Sequence, residues 1–587
     1  MRRTKIVCTL GPATNDVEVM KQLIRNGLDA ARINFSHGTY ETHGEIIQKL
    51  KQAREELGAP IPLLLDTKGP EIRIKTFENG SIRLEQGAVF TLTTEEVIGT
   101  QERVSVTYAD LPKDLHRGSR VLIDDGLVEL RVEAIEGSEV RCVVVTGGEI
   151  SSRKGVNLPG VQVNLPSLTE KDIADLKFGI ENGFDYVAAS FVRSASDVVK
   201  IRKVLEENGG EGIYIIAKIE NQEGVDNIEE ILEVSDGIMV ARGDLGVEIP
   251  PEEVPLVQKM LIAKANKRSK PVITATQMLE SMVKSPRPTR AEANDVANTI
   301  FDGSDAIMLS GETAMGKYPC EAVATMARIA EKAESSINYG KNLTKNLDIG
   351  QTNITTAISF AACTTAAELK TACIGTITYS GFTARMISKH RPICPIVAGT
   401  MREQVWRQLN LVWGCKPILH QATLSKGEVF DTAMTVVKKS GLVKNGDTVV
   451  LALGIPVGIS GSTNTLRVDI VGDVLCKGVG IGEKRVSGTA RVIKVRDEME
   501  RQFKKGDILV ATATDNDLMP YLQKASAILV GPMDHVENSH AEIVGRALDI
   551  PVIICNAKVV DFIPNDALIT VDAKKGFVYK GIPIEEA

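Results

Sequence analysis

The sequence predicts an α/β protein built on a (β/α)8 barrel, and three observations predict it. From the start to about residue 335 one unit recurs eight times, a short apolar run, a polar or glycine-containing end, then a helical stretch. The ends of these runs carry charged and hydroxyl residues, which is where such barrels place their chemistry. Two units also open alike, with Ser235-Asp-Gly-Ile-Met-Val and Ser304-Asp-Ala-Ile-Met-Leu. The predicted strands are Lys5–Leu10, Ala31–Phe35, Pro62–Leu65, Tyr186–Ser190, Ile213–Ile219, Gly237–Val240, Pro271–Ala275 and Asp305–Leu309.

The remaining elements follow from breaks in that pattern. Residues 1–69 and 167–337 are assigned to the barrel. Between them, 70–166 reads as an inserted small β-barrel domain at the barrel's mouth. Its short alternating runs are Ser81–Leu84, Arg120–Ile123, Leu127–Val132 and Arg141–Val145, with a turn at Asp124-Asp125-Gly126. The polar stretch Asn338–Gln351 reads as a linker. It opens a third, open α/β domain over 338–473, with strands at Cys373–Thr378, Ile393–Ala398 and Thr448–Ala452. Residues 474–587 form an extra β-rich α/β domain, marked by Val479-Gly-Ile-Gly, Gly488–Val495, Gly506–Ala511, Ile528-Leu-Val-Gly and Ile550–Cys555.

A chain of 587 residues, 43% hydrophobic and 25% charged, suits a multi-domain globular protein. The formal net charge of −7 provides no basic footprint for nucleic acid or an anionic membrane, so the expected partners are small molecules. Nine cysteines without a Cys-x-x-Cys pair fit a reducing, cytoplasmic setting. The apolar stretch Ile6–Leu10 is too short for a secretory signal or a membrane span.

The strand ends make one constellation. Lys218 and Glu220 are two residues apart on a strand and share a face, while Ile219 points the other way. A lone Lys-x-Glu is usually a surface ion pair, but the apolar run Ile213–Ile216 makes an enclosed, functional pair the better reading. The second strand adds Arg32, Asn34 and Ser36, the third Asp66-Thr67-Lys68-Gly69, the sixth Arg242-Gly243-Asp244, the seventh Thr276 and Gln277, and the eighth Ser310-Gly311-Glu312. Glu220 and Asp244 form a hard-oxygen pair suited to Mg²⁺. With Lys218 and Arg32 beside them, the ligand must be strongly anionic, and a phosphorylated acid fits. Asn34, Ser36, Asp66 and Thr67 suit a monovalent cation, or else brace their own loops. Phosphoryl transfer needs placement and charge neutralisation, which this set supplies. A Schiff-base role for Lys218 loses, because Glu220 raises the amine's pKa. Gly311–Lys317 nearly spells a Walker loop, but Tyr318 stands at the Ser/Thr position and Pro319 follows.

Over about residues 1–470 the chain resembles pyruvate kinase. The resemblance rests on the 213–225 stretch and on Arg32-Ile-Asn-Phe-Ser-His37, Asp66-Thr-Lys-Gly-Pro-Glu-Ile-Arg73, Lys154-Gly-Val-Asn-Leu-Pro159, Arg242-Gly-Asp-Leu-Gly246, Thr274-Ala-Thr-Gln-Met278 and Met308-Leu-Ser-Gly-Glu-Thr313. It implies phosphoryl transfer from phosphoenolpyruvate to ADP, giving ATP and an enolate that is protonated to pyruvate. It implies Mg²⁺ on Glu220 and Asp244, and Lys218 on the transferring group. Arg32, Gly243, Asp244 and Thr276 match substrate contacts, and Asn34, Ser36, Asp66 and Thr67 match K⁺ ligands, with Glu71 matching the K⁺-dependent branch. Asn34, Phe35, Ser36, His37, Arg73 and Lys154 match nucleotide contacts, the last two on an inserted domain that acts as a lid. Thr276 and Ser310 match positions that protonate the enolate through water. A cytoplasmic homotetramer is expected. The third domain resembles the regulatory one, where Thr378, Ser380 and Thr383, with loop Gly458–Asn464, are candidates for an effector phosphate or for a capped helix start.

The tail motif Asn538-Ser-His540-Ala-Glu-Ile-Val-Gly-Arg546 resembles the swivelling phosphohistidine domain of phosphoenolpyruvate-utilising enzymes, with Asn538 in place of the motif's threonine. His540 is expected to hydrogen-bond locally, and His535 makes no convincing metal pair with it. Three readings remain in view: an active kinase with an appended domain, a phosphohistidine relay through His540, and a metabolite-sensing protein without turnover.

Overall fold

In a computed structural model, described over residues 1–345, 353–421, 429–455, 461–472, 474–493, 503–532 and 536–581, all eight predicted barrel strands are present. They are Lys5–Thr9, Ala30–Asn34, Leu63–Asp66, Tyr186–Ala189, Tyr214–Ile219, Gly237–Ala241, Val272–Ala275 and Ala306–Leu309. They close into one parallel barrel in sequence order, the first strand pairing with both the second and the eighth. Each strand is buried on both faces, which is why it reads as an unbroken apolar run. On the fifth, Ile215, Ala217 and Ile219 pack against the outer helices, and Ile216 faces the interior with Val7, Leu64, Tyr186, Met239 and Ile273. The alternation carries Lys218 and Glu220 to the interior at the strand's carboxyl end.

Local chemistry sets the element boundaries. Asp16 caps Val17–Asn26, Thr39 caps Tyr40–Leu57, and Thr289 with Glu292 forms a capping box on Arg290–Asp302. Pro319 opens the helix Pro319–Ser336, so the Walker-like stretch before it forms no phosphate loop.

The inserted domain has a six-stranded sheet ordered Val156–Asn157, Arg120–Ile123, Val128–Glu136, Glu139–Thr146, Val89–Thr93, Arg103–Ser105, and a separate ribbon of Gly148–Ser151 with Ser81–Leu84. The small β-barrel expected from sequence is thus closed by packing, not by one continuous ladder. Gly147 parts the two sheets where a Cβ would meet the Leu84 carbonyl oxygen at 2.4 Å, yet Leu84 and Ile150 share one core with Phe90, Leu130 and Val144. The predicted turn holds, with φ of 56° at Asp124, 54° at Asp125 and 86° at Gly126.

The chain divides into two compact units, Met1–Ala367 with Thr376–Val429 and Ala452–Thr465, and Glu368–Gly375 with Phe430–Leu451 and Leu466–Ala587. In the first, Ile396–Thr400 pairs in parallel with Cys415–Leu419, and in the second, Cys373 to Gly375 pair in parallel with Val449 to Leu451. The stretch expected as a linker corrects to a helix over Tyr339–Lys345, its remainder lying outside the described residues. Tyr339 packs 5.4 Å from the Trp413 ring, with the Arg3 guanidinium 4.4 Å from its own centroid, an anchor that its Gly/Lys/Asn composition hides.

The tail is a closed seven-stranded barrel: Val474–Ile481, Val552–Cys555, Ala527–Val530, Ile508–Ala511, Arg485–Val492, Leu568–Asp572 and Phe577–Lys580, which returns to the first. Its glycines mark tight backbone crossings, since a Cβ on Gly480 would lie 1.8 Å from the Ala573 carbonyl oxygen. Among the described residues no helix is long and apolar enough to cross a membrane.

Candidate active site

Lys218 is the centre of the strand-end cluster. Its Nζ lies 3.1 Å from Asp66 Oδ1, 2.9 Å from Glu220 Oε1 and 2.8 Å from Ser190 Oγ. Only 8% of Lys218 and 1% of Glu220 is exposed. Burial alone would lower the Lys218 pKa, but Asp66 and Glu220 outweigh it and hold the ammonium above the ordinary lysine range. An amine held in its charged form is a poor Schiff-base nucleophile, which agrees with the sequence reading of Lys218.

Arg32 donates from Nε to Asp66 Oδ2 at 2.6 Å and from Nη1 to Thr9 Oγ1 at 2.9 Å. Burial pushes the Asp66 carboxyl up, but Arg32 and Lys218 together overcome it and hold it below the usual range. Two cations are thus fixed on one carboxylate at the mouth of the barrel.

Glu220 also accepts the Phe191 N–H at 2.5 Å, and the Asp244 carboxylate acts on it electrostatically. Burial, reinforced by Asp244, raises the Glu220 carboxyl above its ordinary range against the pull of Lys218, and burial likewise raises Asp244. Two enclosed carboxylates that resist ionising side by side are a donor pair a divalent cation would satisfy.

Asn34 Oδ1 accepts from Ser36 N at 3.1 Å, and the Thr67 carbonyl accepts from Ser190 Oγ at 2.6 Å. These are oxygens of low net charge, since Asp66 is already matched by Arg32 and Lys218, and they fit a monovalent ion.

The seventh strand ends in strained backbone. Thr276 has φ 70° and Gln277 φ 51°, unusual for side-chain-bearing residues. Arg242 holds both carbonyls, at 2.6 and 3.3 Å, and is itself held by Asp295 at 2.8 Å. Thr276 Oγ1 accepts from Gly243 N at 2.7 Å and donates to the Ala275 carbonyl at 2.6 Å. Ser310 Oγ is buried with no partner among the described residues, while Ser310 N donates to Glu312 Oε2 at 2.7 Å. An orphaned hydroxyl there is available to a ligand or a water.

A cavity of about 890 Å³ joins the barrel mouth to the inserted domain, lined by His37, Arg73, Asp125, Lys154, Asn157 and Asp244 among others. Arg73 donates to Glu71 at 2.7 Å, and Lys154 pairs with Asp124 at 2.8 Å. Phe35 is placed differently from the sequence expectation. The residue is 1% exposed, its ring tilted 4.5 Å from that of His43 and edge-on 5.8 Å from that of Phe178, so it carries the Asn34–His37 segment without presenting a side chain.

Sequence reasoning missed Ser190, which bridges Lys218 and the Thr67 carbonyl, and Thr9, which holds Arg32. Both sit at the ends of the fourth and first barrel strands, so the rule applied to the other strands would have found them. The Phe191 N–H left no signal, since residue type says nothing about a backbone donor.

Of the effector candidates, Thr378 is buried, Thr383 Oγ1 lies 2.7 Å from Thr463 Oγ1, and the Ser380 carbonyl accepts from Tyr214 OH at 3.0 Å. The helix Phe382–Ser388 begins at Gly381 with φ 76° and no side-chain cap, so capping does not explain the hydroxyls. Residues 458–460 of the loop lie outside the described residues, as does His535. In the tail, His540 Nδ1 lies 3.0 Å from Thr514 Oγ1 and Nε2 3.1 Å from Asn516 Oδ1, the local bonding expected of it.

Residues 1–323 match the pyruvate kinase barrel-domain model, and 356–469 match the pyruvate kinase alpha/beta-domain model. The chain belongs to the pyruvate kinase family. It is 50% identical over 584 residues to the pyruvate kinase of Geobacillus stearothermophilus and 51% identical over 583 residues to that of Bacillus licheniformis, covering 99% of each chain in both pairs. Coverage on that scale extends through the tail, so these pyruvate kinases carry the same extension. A crystal structure of a pyruvate kinase from Cryptosporidium parvum, 40% identical, aligns with TM-score 0.77 over 80% of this chain and 96% of its own. Residues 503–576 match the mobile domain of PEP-utilising enzymes.

Proposed function

We propose that the barrel transfers the phosphoryl group of phosphoenolpyruvate to ADP, forming ATP and pyruvate. The observation that carries this reading is Lys218, a buried ammonium paired with Asp66 at 3.1 Å and with Glu220 at 2.9 Å. The bond between the enol oxygen and phosphorus breaks as an ADP oxygen forms its own bond to phosphorus, leaving the enolate, which takes a proton at carbon. Lys218 and Arg32 offset the charge spreading over the transferring oxygens. Thr276 and the Gly243 backbone orient the carboxylate end of the substrate, with Arg242 fixing the strained turn that presents them. Glu220 and Asp244 would hold Mg²⁺, which supplies further positive charge at the phosphoryl oxygens when bound. Asn34, Ser36, Asp66 and Thr67 would hold K⁺ beside the same site. Ser310, with Thr276, would hold the water that protonates the enolate.

Support for nucleotide binding by Asn34, Ser36, His37, Arg73 and Lys154 comes from the cavity between barrel and lid. The domain limits follow the sequence reading: barrel 1–69 and 167–337, lid 70–166, regulatory domain 338–473, extra domain 474–587. Thr378, Ser380 and Thr383 are proposed as the site of a phosphorylated effector. The tail is accessory, since both His540 nitrogens are engaged. A cytoplasmic homotetramer completes the proposal.

The test is pyruvate formation from phosphoenolpyruvate and ADP with Mg²⁺, with and without K⁺, in wild type and Lys218→Met. The expected result is turnover dependent on both ions and lowered by roughly 10²-fold or more in the variant. Near-normal turnover in a folded Lys218→Met protein would refute the assignment.

A further inference from the structure

The lid joins the barrel by two crossings of the chain, one leaving through Lys68-Gly69-Pro70 and one returning into Thr169, the N-cap of the helix Glu170–Glu181. Both crossings end on the same side chain. Asp172 Oδ1 accepts the Gly69 N–H at 3.0 Å, and Oδ2 accepts the Thr169 N–H at 2.9 Å and the Thr169 hydroxyl at 2.6 Å. The carboxylate is fully buried, at 0% exposure, so these three donors take the place of water. Only glycine fits at position 69, since it sits at φ 71° and a Cβ there would meet Ser190 Cβ at 2.8 Å.

The same helical turn reaches the other wall of the cleft. Lys171 Nζ donates to the Phe35 carbonyl at 2.9 Å and to Asp175 Oδ2 at 2.6 Å, and Asp175 Oδ1 accepts the Tyr40 hydroxyl at 2.8 Å. Neighbouring residues thus pin both lid crossings and the Asn34–His37 segment. An ordinary capping box needs only the Thr169–Asp172 exchange. The bond to Gly69, 103 residues away, and the bond from Lys171 to Phe35 go beyond capping.

We propose that Asp172 and Lys171 are positioning residues for the nucleotide. Asp172 fixes where the lid turns, and so where Arg73 and Lys154 stand, while Lys171 holds Asn34–His37 opposite them. The proposal rests on the reading that those residues contact the nucleotide. It assigns them no contact with phosphoenolpyruvate.

The experiment is steady-state kinetics of the full-length protein with each substrate varied, for Asp172→Ala, the near-isosteric Asp172→Asn, and Lys171→Met, with Arg73→Met and Lys154→Met alongside. Misplacement of one wall of the cleft should raise KM for ADP by about tenfold or more in Asp172→Ala and Lys171→Met, and less in Asp172→Asn, with KM for phosphoenolpyruvate nearly unchanged. A merely structural cap would lower Tm without that split. If Arg73→Met and Lys154→Met raise KM for ADP while the Asp172 and Lys171 variants do not, the proposal alone is overturned. If Arg73→Met and Lys154→Met also leave KM for ADP unchanged, the nucleotide reading falls and the proposal falls with it. Should Asp172→Ala not fold, Asp172→Asn and Lys171→Met decide by the same criterion.

Discussion

Lys218 can serve a transferring phosphoryl group only while it stays charged, and Asp66 and Glu220 hold it so despite its burial. Ser310 makes the opposite case, a buried hydroxyl with no hydrogen-bond partner among the described residues. Ser310→Ala is expected to slow exchange of the pyruvate methyl protons with solvent by roughly 10²-fold, as loss of a group assisting proton transfer does, which NMR in deuterated buffer measures. Undiminished exchange would remove Ser310 from the protonation step. His390 carries a prediction of a different sort. Its ring lies edge-on 5.5 Å from that of Phe360, and burial, with help from the nearby Lys389 charge, lowers its pKa from 6.5 to about 4. As pH falls from 6.5 toward 4 the unfolded chain takes up a proton that the folded chain refuses, so stability is lost across that window and levels off below it. The loss is on the order of 3 kcal/mol. His390→Leu should flatten this slope in denaturant unfolding at pH 7 and pH 5, and an unchanged slope would contradict it.

At the scale of elements, Gly480 shows how little slack the tail barrel has. Its Cβ position falls on the backbone of Ala573, where no side-chain rotation can relieve the clash. Gly480→Ala is therefore expected to destabilise the tail by about 3 kcal/mol or more, seen as an early thermal transition with the barrel's own transition in place. A single unshifted transition would refute it. The elements also explain what could be read without coordinates. The eight barrel strands were legible because burial on both faces leaves no polar alternation to confuse them. Lys218, Glu220, Arg32 and Asp244 were legible because the carboxyl end of a barrel strand is one address for all of them. The strands Leu568–Asp572 and Phe577–Lys580 were not, since Lys574, Lys575 and Gly576 read as loop while serving as the hairpin turn between them. Nor was the common pin of the lid, because Asp172 looks like any capping carboxylate until Gly69 arrives from 103 residues away.

For the whole molecule the question is what the tail contributes. The compact unit that contains it also holds Phe430–Leu451, and there Lys575 Nζ donates to the Asn445 carbonyl at 3.2 Å while a Cβ on Gly446 would meet the Tyr579 hydroxyl at 2.5 Å. Removing residues from 474 onward should leave turnover of phosphoenolpyruvate within a few-fold of wild type, as the side chains proposed for catalysis all lie before it. The truncated chain should unfold at a lower temperature, because the surface around Asn445–Gly446 loses its cover. Complete loss of turnover in a folded truncant would contradict the accessory role.

The ring of the tail has one more property. Val474 pairs with Tyr579, so the first and last strands lie side by side and the module's two ends meet. Such a piece needs a single junction to be grafted onto a host chain, and its order of strands does not depend on where the chain is cut. Joining residue 581 to 474 and reopening the loop at Gly482–Lys484, which is exposed, yields a circular permutant with every ladder retained.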